Sequence, residues 1–288
     1  MPSFDDTVSP WTALSPSRPH RLPMGTAFGA TDIGPVRKSN EDNFLIDEAL
    51  GLVMVADGMG GHACGEVASA GALEAVRDYL ALHGAQLPGQ QDDPARQPRL
   101  EDDPDATWSD LAMRAVALAY DAIEFANRAL YAQNLARGRP ESGMGTTLTG
   151  FWRAGPDVPL VLFHIGDSRL YRLRGGRLDQ LTRDQTMYQQ AIDAGLIDNL
   201  PARNLLLQAM GPDPRVTPEV RAHLVEPGDL LMLCSDGLHG SVPHGEIEAV
   251  MAVADEPTLA SACRQLIALA VDYGGRDNIT VVMALYRG

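Results

Sequence analysis

Leu52-Val53-Met54-Val55-Ala56 runs straight into Asp57-Gly58-Met59-Gly60-Gly61-His62. Burial explains an apolar strand, but it does not explain a carboxylate at the strand's end. The same junction recurs far along the chain. Leu230 to Cys234 leads into Ser235-Asp236-Gly237, Asp277-Asn278 opens Ile279-Thr280-Val281-Val282, and Glu41 stands before Asn43-Phe44-Leu45-Ile46. Carboxylates gathered at the mouth of an apolar core repel one another and lose hydration, so they call for a cation between them. Hard oxygen ligands of this kind suit Mg²⁺ or Mn²⁺. Asp57 and Asp236 end their strands whereas Asp277 begins its own. Only antiparallel packing brings all three to one end.

Working outward, Asn43–Ile46, the turn Asp47–Gly51 and Leu52–Asp57 read as a hairpin. If Ile46 pairs with Leu52, Glu41 falls opposite Asp57, a juxtaposition that needs a cation. Gly166-Asp167 reads as a tight hairpin from Leu160–Ile165 to Arg169–Leu173, and Gly175-Gly176 as another into Arg177–Leu181. Helical periodicity covers about Cys64–Leu82. It returns after an N-cap at Thr107 or Ser109, with Leu111, Ala115, Ala119, Ile123, Ala126 and Leu130 on one face. Gly138 and Pro140 mark that helix's end, and a third helix spans about Thr258–Val271. Long helices with strands between them give an α+β class. Residues 1–24 hold five prolines and read as a disordered arm, and Gly84–Asp105 as an acidic solvated loop.

The chain has 288 residues, 45% of them hydrophobic, with a formal net charge of −15. That balance argues against a nucleic-acid surface. Cys64, Cys234 and Cys263 lack zinc-ligand spacing and point to a reducing compartment. No signal peptide and no apolar run of roughly 20 residues is evident, so a cytoplasmic protein with no membrane partner is expected.

The glycines after Asp57 let the backbone come close to a ligand, and the Gly58 carbonyl is itself a candidate donor. No Gly-Lys-Ser/Thr follows, so a P-loop is a poor fit. Other segments join this one: Thr31-Asp32-Ile33-Gly34-Pro35-Val36-Arg37-Lys38-Ser39-Asn40-Glu41-Asp42, Gly143-Met144-Gly145-Thr146-Thr147, His164-Ile165-Gly166-Asp167-Ser168-Arg169, Ser235-Asp236-Gly237 and Gly274-Gly275-Arg276-Asp277-Asn278-Ile279-Thr280. In this order and at these separations they closely resemble the PPM/PP2C family of metal-dependent protein serine/threonine phosphatases, particularly its bacterial branch, over about residues 25–286.

The resemblance implies a PP2C-like four-layer α-β-β-α sandwich over residues 25–288, two antiparallel sheets flanked by helices. It implies hydrolysis of phosphoserine and phosphothreonine on proteins by direct attack of a water bridging two Mn²⁺ or Mg²⁺ ions, in opposition to a serine/threonine kinase. Asp57, Asp236 and Asp277 match the metal aspartates, with Asp57 as the bridge and the Gly58 carbonyl and Glu41 around the second ion. Asp167 matches a ligand of a third, weaker ion, with Asp213 as its second ligand. Arg37 matches the phosphate-holding arginine and His62 the general acid. Phosphoryl transfer of this kind needs positioning and charge neutralisation rather than a nucleophilic side chain. A guanidinium suits two phosphate oxygens, and an imidazole can protonate a leaving alkoxide.

The chain departs from the pattern in Leu181-Thr182-Arg183-Asp184-Gln185-Thr186, where Gln185 replaces the usual histidine at the start of a flap near Asp184–Asp213. Gln hydrogen-bonds but does not titrate. His164 reads as a hydrogen-bonded core histidine, Asp32, Asp42 and Asn278 as residues that satisfy loop backbone or orient ligands, and Cys64 as a small helix residue. Two other classes stay open: a phosphoprotein-binding regulator that has lost catalysis, and a small-molecule phosphoesterase.

Overall fold

In the computed structural model, which describes residues 13–60, 64–84, 110–138 and 143–288, the apolar strands form two antiparallel sheets lying face to face. The first has the order β1 (His20–Leu22), β2 (Gly25–Asp32), β12 (Ile279–Tyr286), β11 (Leu230–Cys234), β8 (Arg169–Arg174) and β9 (Arg177–Gln180). The second has the order β10 (Glu219–His223), β7 (Leu160–Ile165), β6 (Leu148–Trp152), β4 (Leu52–Met59) and β3 (Asp42–Asp47), with the short β5 (Gly145–Thr146) also on β4. Helices α1 (Gly65–Gly84) and α2 (Asp110–Ala136) cover the second sheet. Helices α4 (Asp236–His239), α5 (His244–Ala252) and α6 (Leu259–Asp272) cover the first. The short α3 (Met187–Asp193) lies between β9 and β10.

Strand periodicity sorts the side chains into three cores. Along β4, Val53 and Val55 face the other sheet, while Leu52, Met54 and Ala56 face the helices α1 and α2. Along β11, Leu231 and Leu233 share the core between the sheets, while Leu230, Met232 and Cys234 join α5 and α6. Burial on both faces is why these strands read as continuous apolar runs. The four-layer α-β-β-α sandwich is thus realised.

Four local expectations change. The β3–β4 hairpin exists, but Ile46 pairs with Val53 and Asp47 with Leu52, so Asp42, not Glu41, stands opposite Asp57. The turn sets this register, because the Asp47 carboxylate accepts the Ala49 and Leu50 N–H groups and Gly51 turns at φ 64°. Gly166-Asp167 does not close a hairpin. β7 and β8 belong to different sheets, and Gly166, at φ 99°, carries the chain across the sandwich.

The second half of the N-terminal arm is structured. Leu14 N–H donates to Asn43 Oδ1, Ile46 N–H donates to Ser15 Oγ, and β1 pairs with β2. These residues use backbone and hydroxyl groups at sheet edges, which proline does not forbid. Residues 1–12 and almost all of the acidic loop lie outside the described residues. Finally, β4 continues past Asp57 to Met59 because Gly58 and Met59 pair with β5.

The close approach of the sheets yields a test. A Cβ on Gly29 would lie 2.4 Å from the ring of Phe44 in the core between the sheets. Gly29→Ala should therefore destabilise the protein by about 1–3 kcal/mol through overpacking. Urea unfolding should show a lower midpoint with unchanged slope; an unaltered midpoint would mean that the sheets are packed less closely here.

Candidate active site

Period-2 alternation decides which acids enter the seam between the sheets. Asp57 continues the row of Val53 and Val55, and Asp42 the row of Phe44 and Ile46. Asp42 is 1% exposed, and its Oδ2 accepts hydrogen bonds from Ser235 Oγ (2.7 Å) and Thr280 Oγ1 (2.7 Å). It therefore ties β3 of one sheet to β11 and β12 of the other. Glu41 points the opposite way, towards α1. A Cβ on Gly65 would lie 2.6 Å from the Glu41 carboxyl carbon, and Ser69 Oγ donates to the Glu41 carbonyl (2.7 Å). Gly58 must be glycine, since a Cβ there would lie 2.1 Å from the Gly65 carbonyl oxygen.

The first sheet supplies the other acids. Cys234 pairs with Arg169 on one side and Val281 on the other. Asp236, two residues beyond, opens α4 beside Asp167, which stands just ahead of β8. Asp277 sits in the loop before β12. There the Asn278 amide donates to the Ile33 and Ser39 carbonyls, and its oxygen accepts the Glu41 N–H. Arg37 reaches in from the preceding loop, its Nη2 2.5 Å from Asp277 Oδ2, with its side chain 47% exposed.

The crowding sets the electrostatics. Burial, followed by Asp42, Asp236, Asp167 and Asp277, lifts the Asp57 carboxyl well above its ordinary value. Burial and then Asp277 raise Asp236 against a relieving hydrogen bond from Asp57. Burial, aided by Asp236 and Asp184, pushes Asp167 to about 7, and burial, with Asp236 and Asp277, outweighs the two hydroxyl donors to bring Asp42 to about 7. Glu41 is raised by burial and by Glu66. Burial opposes the charge of Arg37, but Asp277, Asp57 and Glu41 outweigh it and hold the guanidinium protonated.

Asp236 Oδ1 is buried with no hydrogen-bond partner among the described residues. An orphaned carboxylate oxygen inside an all-oxygen cluster fits a hard divalent cation. Among the described residues, however, no three His, Cys, Asp or Glu side chains are already set to hold an ion. The donor chemistry fits, and the acids line a mouth rather than a closed cage.

Asp57, Asp167, Asp236 and Asp277 thus lie within electrostatic reach of one another with Arg37 against Asp277, while Glu41, turned towards α1, reaches Arg37 and Asp277 only from the side. Asp213 does not join them: it is exposed, its carbonyl accepts from Asn127 on α2, and the strongest charges on Asp167 are Asp236 and Asp184. His62 lies outside the described residues. His164 is a core histidine, bonded to Thr149 Oγ1 (2.8 Å) and the Arg183 carbonyl (3.1 Å). Sequence reasoning undervalued Asp42, although its place two residues before Phe44 marks it as facing the seam. It also passed over Asp184, which Arg169 grips through two hydrogen bonds of 2.7 and 2.6 Å.

A family model described as protein phosphatase 2C matches residues 37–279. The serine/threonine protein phosphatase PstP of Mycobacterium tuberculosis is 36% identical over 260 residues, covering 88% of this chain but only 43% of that protein. The serine/threonine phosphatase stp of Listeria innocua is 33% identical over 261 residues, covering 88% of this chain and 92% of that one. Among solved structures, the PstP catalytic domain in complex with two manganese ions has a TM-score of 0.70 at 34% identity, with 91% of this chain and 98% of that chain covered. PppA, a regulatory component of the type VI secretion system in Pseudomonas aeruginosa, has a TM-score of 0.72 at 29% identity, with 92% and 99% covered. With a model spanning most of its length and relatives of this closeness, the chain belongs to the protein phosphatase 2C family.

Proposed function

We propose that the chain is a metal-dependent protein phosphatase that hydrolyses phosphoserine and phosphothreonine monoesters on proteins in the cytoplasm, opposing a serine/threonine kinase. The observation that carries this reading is the convergence of Asp57, Asp236 and Asp277 on one mouth with the Arg37 guanidinium at its rim. No helix among the described residues is long and apolar enough to cross a membrane.

Asp57, Asp236 and Asp277, with Glu41 and the Gly58 carbonyl, would hold two Mn²⁺ or Mg²⁺ ions, and Asp167 a third. When bound, such a pair acidifies water and neutralises charge around an in-line displacement at phosphorus. Arg37 orients the phosphoryl group through two parallel N–H donors. Asp42 keeps the two sheets in register beneath the acids, so their spacing does not drift. His62 donates the proton that the serine or threonine oxygen takes as it leaves. Asp213 has no place in this scheme, because its side chain is exposed and its backbone is committed to α2.

Four outcomes test the reading. Asp236→Asn should cut Mn²⁺-dependent hydrolysis of a phosphothreonine peptide by more than about 100-fold, since even residues behind a metal ligand are worth 10–100-fold. Isothermal titration should show weakened Mn²⁺ binding in the same variant; undiminished turnover would sink the metal assignment. Arg37→Ala should raise the peptide KM roughly 10-fold or more, as expected for a charge-assisted hydrogen bond. By contrast His62→Gln should lower kcat about 100-fold with metal still bound, and an unchanged pH–rate profile would remove its proton role.

The fourth outcome concerns pH. Asp42 and Asp167 titrate near 7 in the folded protein against an ordinary 3.8, so the folded state binds more protons than the unfolded one between those values. The stability of the metal-free protein should therefore fall as pH rises from about 5 to about 7.5. Mn²⁺ should raise Tm more at the upper pH, because its ligands must be deprotonated. A metal-induced Tm shift that is independent of pH would place the ion elsewhere.

A further inference from the structure

The segment from Thr186 to Ala209 leaves the sandwich and returns to it close to the Asp167 turn. Its ends are fixed. Asp184 is held by Arg169, and Met210 exchanges backbone hydrogen bonds with Thr146 at 3.0 and 2.9 Å. Just inside both fixed points stand two glutamines. Gln185 Oε1 accepts from the Gly166 N–H (2.9 Å) and from Gln208 Nε2 (2.9 Å). The Gln185 backbone N–H donates to the Gly166 carbonyl (2.7 Å), and its carbonyl accepts from Leu207 N–H (2.8 Å). Gln208 in turn bonds both ways with the Thr217 backbone, at 2.8 and 2.9 Å. One amide oxygen thus joins the outgoing leg, the returning leg and the turn that carries Asp167.

We infer that Gln185 and Gln208 form a clasp that presets the flap for protein substrates; this rests on the phosphatase function proposed for the site. The turn does not depend on the clasp. The Asp167 carbonyl accepts from His239 Nε2 (2.9 Å), Ser168 Oγ bonds Thr147 Oγ1 (2.7 Å), and the Ser168 carbonyl accepts from Thr149 Oγ1 (2.9 Å). Losing the clasp therefore loosens the joint between the flap and the Gly166 turn and leaves Asp167 in place, although backbone bonds such as Leu207 N–H to the Gln185 carbonyl still pair the two legs. A small ester touches only the carboxylate mouth, whereas a phosphoprotein must also lie across the surface beside it. A flap already fixed there spares the substrate the cost of ordering it. Both residues are positioning residues, and neither touches the reacting atoms.

The test compares Gln185→Leu, Gln208→Leu and the double variant with wild type in Mn²⁺, on a phosphothreonine peptide and on p-nitrophenyl phosphate. Each single variant should raise the peptide KM about fivefold while kcat/KM for the small ester stays within about twofold. The double variant should fall short of the product of the two single effects, because both singles already remove the bond between Gln208 Nε2 and Gln185 Oε1. Trypsin should cleave after Arg203 faster in each leucine variant. Gln185→Glu keeps an accepting oxygen and should retain the wild-type peptide KM, which separates the clasp from a folding defect. Parallel losses on both substrates, multiplying single effects, or unchanged peptide kinetics would overturn the clasp. A wild-type protein inert towards both esters would instead overturn the phosphatase reading on which it stands.

Discussion

Asp42, Asp57, Asp167 and Asp236 meet at one end of the seam between two apolar sheets, where burial is the largest influence on each of their carboxyl groups and raises all four. Such a cluster persists only if the elements that carry it are held by something other than the cluster. The three cores do that. β4 is locked by Leu52 and Met54 on its helix side and by Val53 and Val55 on the seam side, and β11 is locked likewise. The repulsion is confined to the ends of strands whose middles are apolar on both faces. Proton uptake, not unfolding, is therefore the first response available to the acids when no cation offsets them.

Two neighbouring acids show how strand alternation divides labour. Asp42 faces the seam and spends one oxygen on Ser235 and Thr280, which fixes the registry of β3 against β11 and β12. Glu41, one residue earlier, faces α1, where its carbonyl secures the Gly58 N–H and Ser69 while its carboxylate sits over Gly65. Gly58 is demanded by that crowding, since a side chain there would meet backbone, separate β4 from α1 and move Asp57, whereas one at Gly65 would displace the Glu41 carboxylate.

Much of this was legible in the chain itself. Asp57, Asp236 and Asp277 could be found because carboxylates at the ends of apolar strands have no structural excuse. The register of β3 on β4 could not be read, because Phe44, Leu45, Val53 and Met54 are apolar on both faces and alternation is silent there. A four-residue turn, 48–51, capped by Asp47 settles it instead. Gly166 was misread for a related reason: a glycine at positive φ serves a hairpin and a crossing between sheets equally well. Asp213 looked like a ligand beside Gly211-Pro212, but the amides of Asn127 and Asn134 on α2 hold that stretch, and neither contact has a local sequence signal.

The net charge of −15 bears on how a phosphorylated partner reaches the site. Long-range attraction cannot steer an acidic phosphoprotein to an acidic surface, and beyond a Debye length of about 8 Å salt removes most of the field in either direction. On the phosphatase reading, selection is therefore left to contacts made at short range. Arg37 is suited to one of them, since its guanidinium stays charged beside Asp277 while nearly half its side chain faces solvent. The phosphate alone does not distinguish one protein from another. Discrimination must come from surface beside the mouth that is already in place when the substrate arrives. Among the described residues the segment joined to the Asp167 turn through Gln185 and Gln208 meets that condition. A histidine in place of Gln185 would make the joint sensitive to protonation near neutral pH, whereas the amide holds it unchanged.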